Sequence, residues 1–314
     1  MPTPRHASHA AIDPVETVTP PSIGHLQTAG VRAGPTGSCC FTYSTSIPIR
    51  GRRIGQVYSR SLRLRGRPCY SWLVQLEEFV YPTYGAPLVD AYGGRFESTF
   101  VVLHPFVRVP VSLSWSATRQ YPSDAQIAEF GSRCTWSDIS AQVGITSCAR
   151  MNQALLTSIG SLADPMADPA GGHRLQRFLE SNPVWMPVEG RFEPLLQRSF
   201  LQILAASGAD ELAFVPEFPQ SHPVVRLTVE GLLDGTIPFP TCGTILPPDA
   251  SFLFTVDWDS FFTLFYGPRA FIRDAVQRLK LEGFFATANT DHDWWNYSMG
   301  CATVTVSPED WQTA

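Results

Sequence analysis

Lysine is nearly missing from this 314-residue chain. Among 23 basic residues only Lys280 is a lysine, and the rest are arginines. GC-rich coding accounts for that bias. The alternative, arginines kept for bidentate phosphate contacts, requires them to be clustered. Charge of either sign is also scarce: Asp, Glu, Lys and Arg make up 16% of the chain, against about 25% in ordinary globular proteins. The seven cysteines show no C-x-x-C: Cys39 and Cys40 are adjacent, and Cys69, Cys134, Cys148, Cys242 and Cys301 are scattered. That spacing excludes a zinc ribbon and a redox pair, and leaves small buried thiols of a reducing compartment.

No uninterrupted apolar run reaches the ~18 residues that span a bilayer. The nearest, SFLFTVDWDSFFTLFY, is broken by Asp257 and Asp259. The N-terminus lacks the apolar core of a secretory signal. The expectation is a cytoplasmic protein with no membrane partner. Also missing are the G-x-S-x-G elbow, the Walker loop, G-x-G-x-x-G and H-E-x-x-H, so no reaction and no cofactor is indicated.

What charge there is lies unevenly. Residues 17–76 hold eight arginines and no acid; residues 1–16 carry −1 and the whole chain −5, which leaves −12 on residues 77–314. An acidic body repels phosphate, so nucleic acid is an unlikely partner for it. The arginine segment remains a separate candidate for nucleic acid.

Residues 1–68 are rich in Pro, Ser, Gly and Arg with little periodicity, and read as a poorly ordered basic extension. Residues 69–314 read as a single α+β domain with a mostly antiparallel sheet and helices packed on one face. Within it, FVVLHPFVRVPVSLSW (residues 100–115) is strongly β, with Val107, Val109, Val111, Leu113 and Trp115 alternating. Pro105 and Pro110 point to an edge strand or a bulge. Ser123 and Gln126 spell a capping box, and Thr135 and Gly144 bracket a second helix. Phe192, Leu195, Leu196, Phe200, Ile203 and Leu204 form one stripe, closed by Gly208. A further helix starts near Pro268, buries Phe271, Ile272, Ala275, Val276 and Leu279, and is expected to end at Gly283.

Two acidic segments are the candidates for chemistry. TDHDWWNY (residues 290–297) offers Asp291, His292 and Asp293; DWDS (residues 257–260) offers Asp257 and Asp259. If the two meet, they would supply acid/base or metal-binding groups. The plainer reading is an Asn/Asp-rich turn anchored by Trp294, Trp295 and Tyr297 to the core or to a partner, and a hairpin turn with two exposed carboxylates. Trp258, Trp294, Trp295 and Tyr297 are the candidate binding aromatics. No metal-ligand motif supports a metal site.

FVVLHPFVRVP, YPSDAQIAEFG, TSIGSL and DSFFTLFYG, in that order, resemble a bacterial family of uncharacterised proteins, number 2711 in the domain-of-unknown-function series. The likeness covers residues 70–300. It implies no activity and no catalytic residue, so none carries over. The long basic N-terminal extension departs from the family pattern, which supports treating residues 1–68 as an addition.

Three readings follow. The first is a non-enzymatic, protein-binding domain of immunity-like or accessory role, whose acidic surface meets a basic partner. The second is an enzyme on a small or phosphorylated substrate using Asp257, Asp259, Asp291, His292 and Asp293, with or without metal. The third is nucleic-acid binding by the arginine segment.

Overall fold

Proline decides how the β-rich segment after residue 97 is used. The computed structural model describes residues 76, 78–114, 120–219 and 222–295, with only the backbone of 113 and 114. The basic extension and Tyr297 lie outside the described residues. Strand β1 (Ser98–Leu103) is followed by His104-Pro105 and then by the short β2 (Phe106–Arg108). The run expected to continue as one strand to residue 115 therefore breaks twice. Pro105 separates two strands of different sheets, and beyond Pro110 the chain makes a helical turn, Val111–Ser114. Proline lacks the N–H that a ladder needs. Neither strand is an edge: β1 lies between two partners in the large sheet and β2 between two in the small one.

Downstream come α1 (Asp124–Phe130), β3 (Ser132–Cys134), α2 (Trp136–Val143), α3 (Cys148–Ser158), α4 (Pro169–Ser181) and β4 (Val184–Trp185). The chain continues through α5 (Pro194–Ala206), β5 (Glu211–Pro216), β6 (Val225–Thr228), α6 (Val229–Leu233) and β7 (Gly243–Leu246). It ends in β8 (Leu253–Val256), β9 (Phe262–Gly267), α7 (Arg269–Leu279) and β10 (Gly283–Phe285). The seven-stranded sheet runs β10-β1-β9-β8-β7-β5-β6, the small sheet β3-β2-β4, and every pairing is antiparallel. The α+β class and the antiparallel sheet are as the sequence indicates. No described helix is long and apolar enough to cross a membrane.

The helices cover both faces of the large sheet rather than one. Val101, Leu103, Val215, Leu246, Leu253 and Leu264 pack against Trp136, Ile139, Met151 and Leu155 of α2 and α3. Phe100, Val102, Leu212, Ile245, Phe254 and Phe265 pack against Leu196, Phe200, Ile203 and Ile272 of α5 and α7. Adjacent residues along a strand point to opposite faces. That is why β1 and β9 are buried at every position and are apolar at consecutive positions, with Ser98, Thr99 and Thr263 buried among them. Such runs mark a sheet covered twice.

Local signals act as their chemistry dictates. Ser123 Oγ accepts from Gln126 N while Gln126 Oε1 accepts from Ser123 N, and Gly144 ends α2 in the left-handed region. At the end of α7 it is Lys280, at φ 52°, that closes the helix; Gly283 opens β10 instead. The Glu282 carboxylate reaches back to accept Trp136 N and Ser137 N at the start of α2. A carboxylate there meets the orphan amides and the positive end of the helix dipole. Cys134, Cys148 and Cys242 are free thiols.

Candidate functional site

The β8–β9 hairpin turn, residues 257–261, organises the site. Asp257 Oδ2 accepts Asp259 N at 3.1 Å, and Ser260 N donates to Asp257 O at 3.2 Å, a turn that an Asp side chain builds from its own backbone. The hairpin is as expected, but the two carboxylates are not both exposed. Asp257 is only 3% exposed, Asp259 is half-buried, and Trp258 between them is 59% exposed. The turn is held from behind by Gly190, whose N–H donates to Ser260 O at 3.0 Å.

The second acidic segment comes to the same place. Tyr84 links the two: its hydroxyl donates to Asp257 Oδ2 at 2.6 Å, and its ring lies 4.1 Å from the His292 ring. His292 is 2% exposed, and its Nδ1 is 2.8 Å from the Tyr81 hydroxyl. Its Nε2 has no hydrogen-bond partner among the described residues. Burial lowers the pKa of His292, opposed by the charges of Asp257 and Asp293. Trp294 and Trp295 are buried and pack with Phe262, Phe284 and His292. They anchor the turn to the core.

Tyr81, Tyr84, Asp257 and Glu217 line an open cavity of about 340 Å³, with Val80, Pro82, Thr83 and Pro219. Glu217 Oε2 accepts the Cys242 thiol at 3.2 Å. Burial first, then the hydrogen bond and charge of Glu217, push that thiol up, which favours its neutral form. Burial and the charges of Asp257 and Asp259 hold Glu217 above the usual carboxylate range, after the opposing thiol bond is counted. Burial and Asp257 do the same for Asp259, and burial and Asp259 for Glu189. Asp293 is raised by burial, against the pull of His292. None of Glu189, Glu217, Asp257, Asp259, Asp291 or Asp293 forms an ion pair among the described residues. The arrangement is a patch of mutually repelling carboxylates with aromatic walls. No three His, Cys, Asp or Glu side chains converge to hold a metal ion among the described residues.

Sequence reasoning missed Tyr81, Tyr84, Glu217 and Gly190. The two tyrosines stand three apart in YPTYG, a turn signal with aromatics, but nothing local says that they face residues 257 and 292. His104, a lone histidine before proline, is structural. Its Nδ1–H donates to Val188 O at 3.2 Å, which fixes the tautomer, and its Nε2 accepts the Thr263 hydroxyl at 2.8 Å.

The sequence model of a family described as "Protein of unknown function (DUF2711)" matches residues 84–296. That span holds Tyr84, Glu217, the 257–260 turn and His292. "Uncharacterized protein YwbB" of Bacillus subtilis (strain 168) is 21% identical over 217 residues, covering 67% of this chain and 95% of its own. No solved structure matches the chain.

Proposed function

The chain belongs to the DUF2711 family, and we propose that its domain, residues 69–314, is a binding module that takes a basic protein partner on the face around the 257–260 turn. The observation that carries this is the pairing of exposed aromatics with unpaired acids. Trp258 at 59%, Phe218 at 58% and Tyr84 at 49% are among the most exposed large side chains described. Each lines the cavity or is the chain neighbour of a residue that does. Aromatic anchors ringed by charge of one sign are what a partner of opposite charge recognises. The role is accessory or immunity-like, and its partner carries a lysine- or arginine-rich surface.

The double variant Trp258→Ala/Phe218→Ala tests it. Affinity purification of the full chain from its native cells is expected to retain a basic partner. The double variant should lose it, and Phe130→Ala, an exposed apolar side chain elsewhere, should keep it. Equal retention by all three would sink the proposal. A second reading, acid/base catalysis, is favoured by one fact: Tyr84 joins Asp257 and His292 into one network. That reading predicts turnover of a small substrate that His292→Gln abolishes.

A further inference from the structure

Resting on the reading that this face meets a basic partner, we propose that the cavity is built for a primary ammonium group, such as the end of a lysine side chain or an alkylamine. The evidence is the unbalanced carboxylate of Asp257. It lines the cavity, is 97% buried, and has no cationic partner among the described residues. A buried carboxylate is ordinarily paired, because desolvation without compensation is costly.

The free oxygens define the class of cation. Asp257 Oδ2 already accepts both the Tyr84 hydroxyl and Asp259 N, while Oδ1 accepts nothing from a described residue. Glu217 Oε2 takes the Cys242 thiol, which leaves Oε1. The site thus offers one open oxygen from each of two carboxylates. A guanidinium fork is matched by both oxygens of one carboxylate, which neither residue presents. An ammonium has three separately directed donors and suits two single oxygens from different side chains. Calcium takes six to eight oxygens and magnesium near-octahedral geometry, far more than two. The apolar walls, Val80, Pro82 and Pro219 with the Tyr84 ring, fit the methylene stem behind such a head group. The chain's own lysine poverty leaves Lys280 as the one lysine side chain that could compete internally.

Thermal unfolding of the full chain with n-butylamine, n-butylguanidine, tetramethylammonium and calcium, at matched ionic strength, tests this. A ligand that binds only the folded state raises Tm saturably. Butylamine is expected to do so at a midpoint at least tenfold below that of the other three. Asp257→Asn, which keeps an acceptor for Tyr84 and for Asp259 N, should remove the rise, and Glu217→Gln at the rim should weaken it tenfold or more. No saturable rise, one shared midpoint for all four cations, or a rise unchanged in both variants overturns the inference. Butylamine binding without partner loss in the Trp258/Phe218 variant keeps the pocket and defeats the binding-module reading. Partner loss without butylamine selectivity does the reverse.

Discussion

Gly190→Ala is expected to destabilise the protein by roughly 3 kcal/mol or more and to dislodge the 257–260 turn. Two effects add. Gly190 sits at φ +71°, a region that costs a residue with a Cβ about 1–2 kcal/mol. A Cβ there would also lie 2.1 Å from the Trp258 carbonyl oxygen and 2.8 Å from its carbon. Both are backbone atoms, so no rotamer change relieves the collision. Either residue 190 retreats and loses its hydrogen bond to Ser260, or the turn moves and takes Asp257 away from Tyr84. Gly208→Ala is the control: it has φ +74° with nothing within 4 Å of the added Cβ, so only the backbone cost of about 1 kcal/mol applies. Urea midpoints of the two variants against the wild type measure the difference. Equal losses would show that the Gly190–Trp258 contact is not sustained in solution.

Glu193→Gln is expected to match the wild type near pH 4.5 and to exceed its stability by up to about 3 kcal/mol at pH 8. Glu193 is fully buried, with Oε2 accepting Val188 N at 3.0 Å. Burial raises its pKa from 4.5 to about 7, outweighing the bonds from Val188 and Leu195 and the charge of Arg191. A carboxyl raised in the folded state stabilises below its unfolded pKa, and that contribution is lost as pH climbs from 4.5 through 7. The difference, 2.5 pH units, converts to about 3 kcal/mol. Glutamine keeps an acceptor for Val188 and has no charge to desolvate. His104, on the carbonyl side of the same Val188, works oppositely: burial lowers it to about 4. The unfolded chain therefore binds its proton more readily, and stability is lost as pH falls from 6.5 toward 4. Between pH 4.5 and 6.5 the two slopes offset, so the variant unmasks an acid sensitivity that the wild type hides. Denaturant unfolding from pH 4.5 to 8 checks this. A wild-type-minus-variant difference flat across that range would contradict it.

Most of the helical content is legible because its causes are local. The Ser123–Gln126 box, the apolar stripe of α5 and the buried residues of α7 need only neighbours three or four positions away. The strand expected across residues 107–115 failed where a competing local rule won: alternation favoured continuation, and Pro110 ended it. Lys280 stands in place of Gly283 as the helix stop, its N–H donating to Val276 O and Gln277 O from the left-handed region, and composition does not announce a lysine there. Helices on both faces are signalled by the consecutive apolar residues Phe100 to Leu103 of β1 and Leu264 to Tyr266 of β9, where one covered face would have produced alternation. The site is another matter. Tyr84 and Asp257 are 173 positions apart, and Tyr81 and His292 are 211. The acidic segments are readable as segments, but their meeting, and the burial of Asp257, are products of strand order.

Docking of a partner at the 257–260 turn can be read by photo-crosslinking. A benzophenone amino acid placed at position 258 of the full chain, and separately at position 130, would be irradiated in a lysate of its native cells at low and at high salt. An adduct is expected from position 258 whose partner peptide is rich in lysine or arginine, which fades at high salt as an exposed electrostatic contact must, and which position 130 does not form. Adducts from position 130 alone, or a position-258 adduct indifferent to salt, would rule out electrostatic docking at the turn.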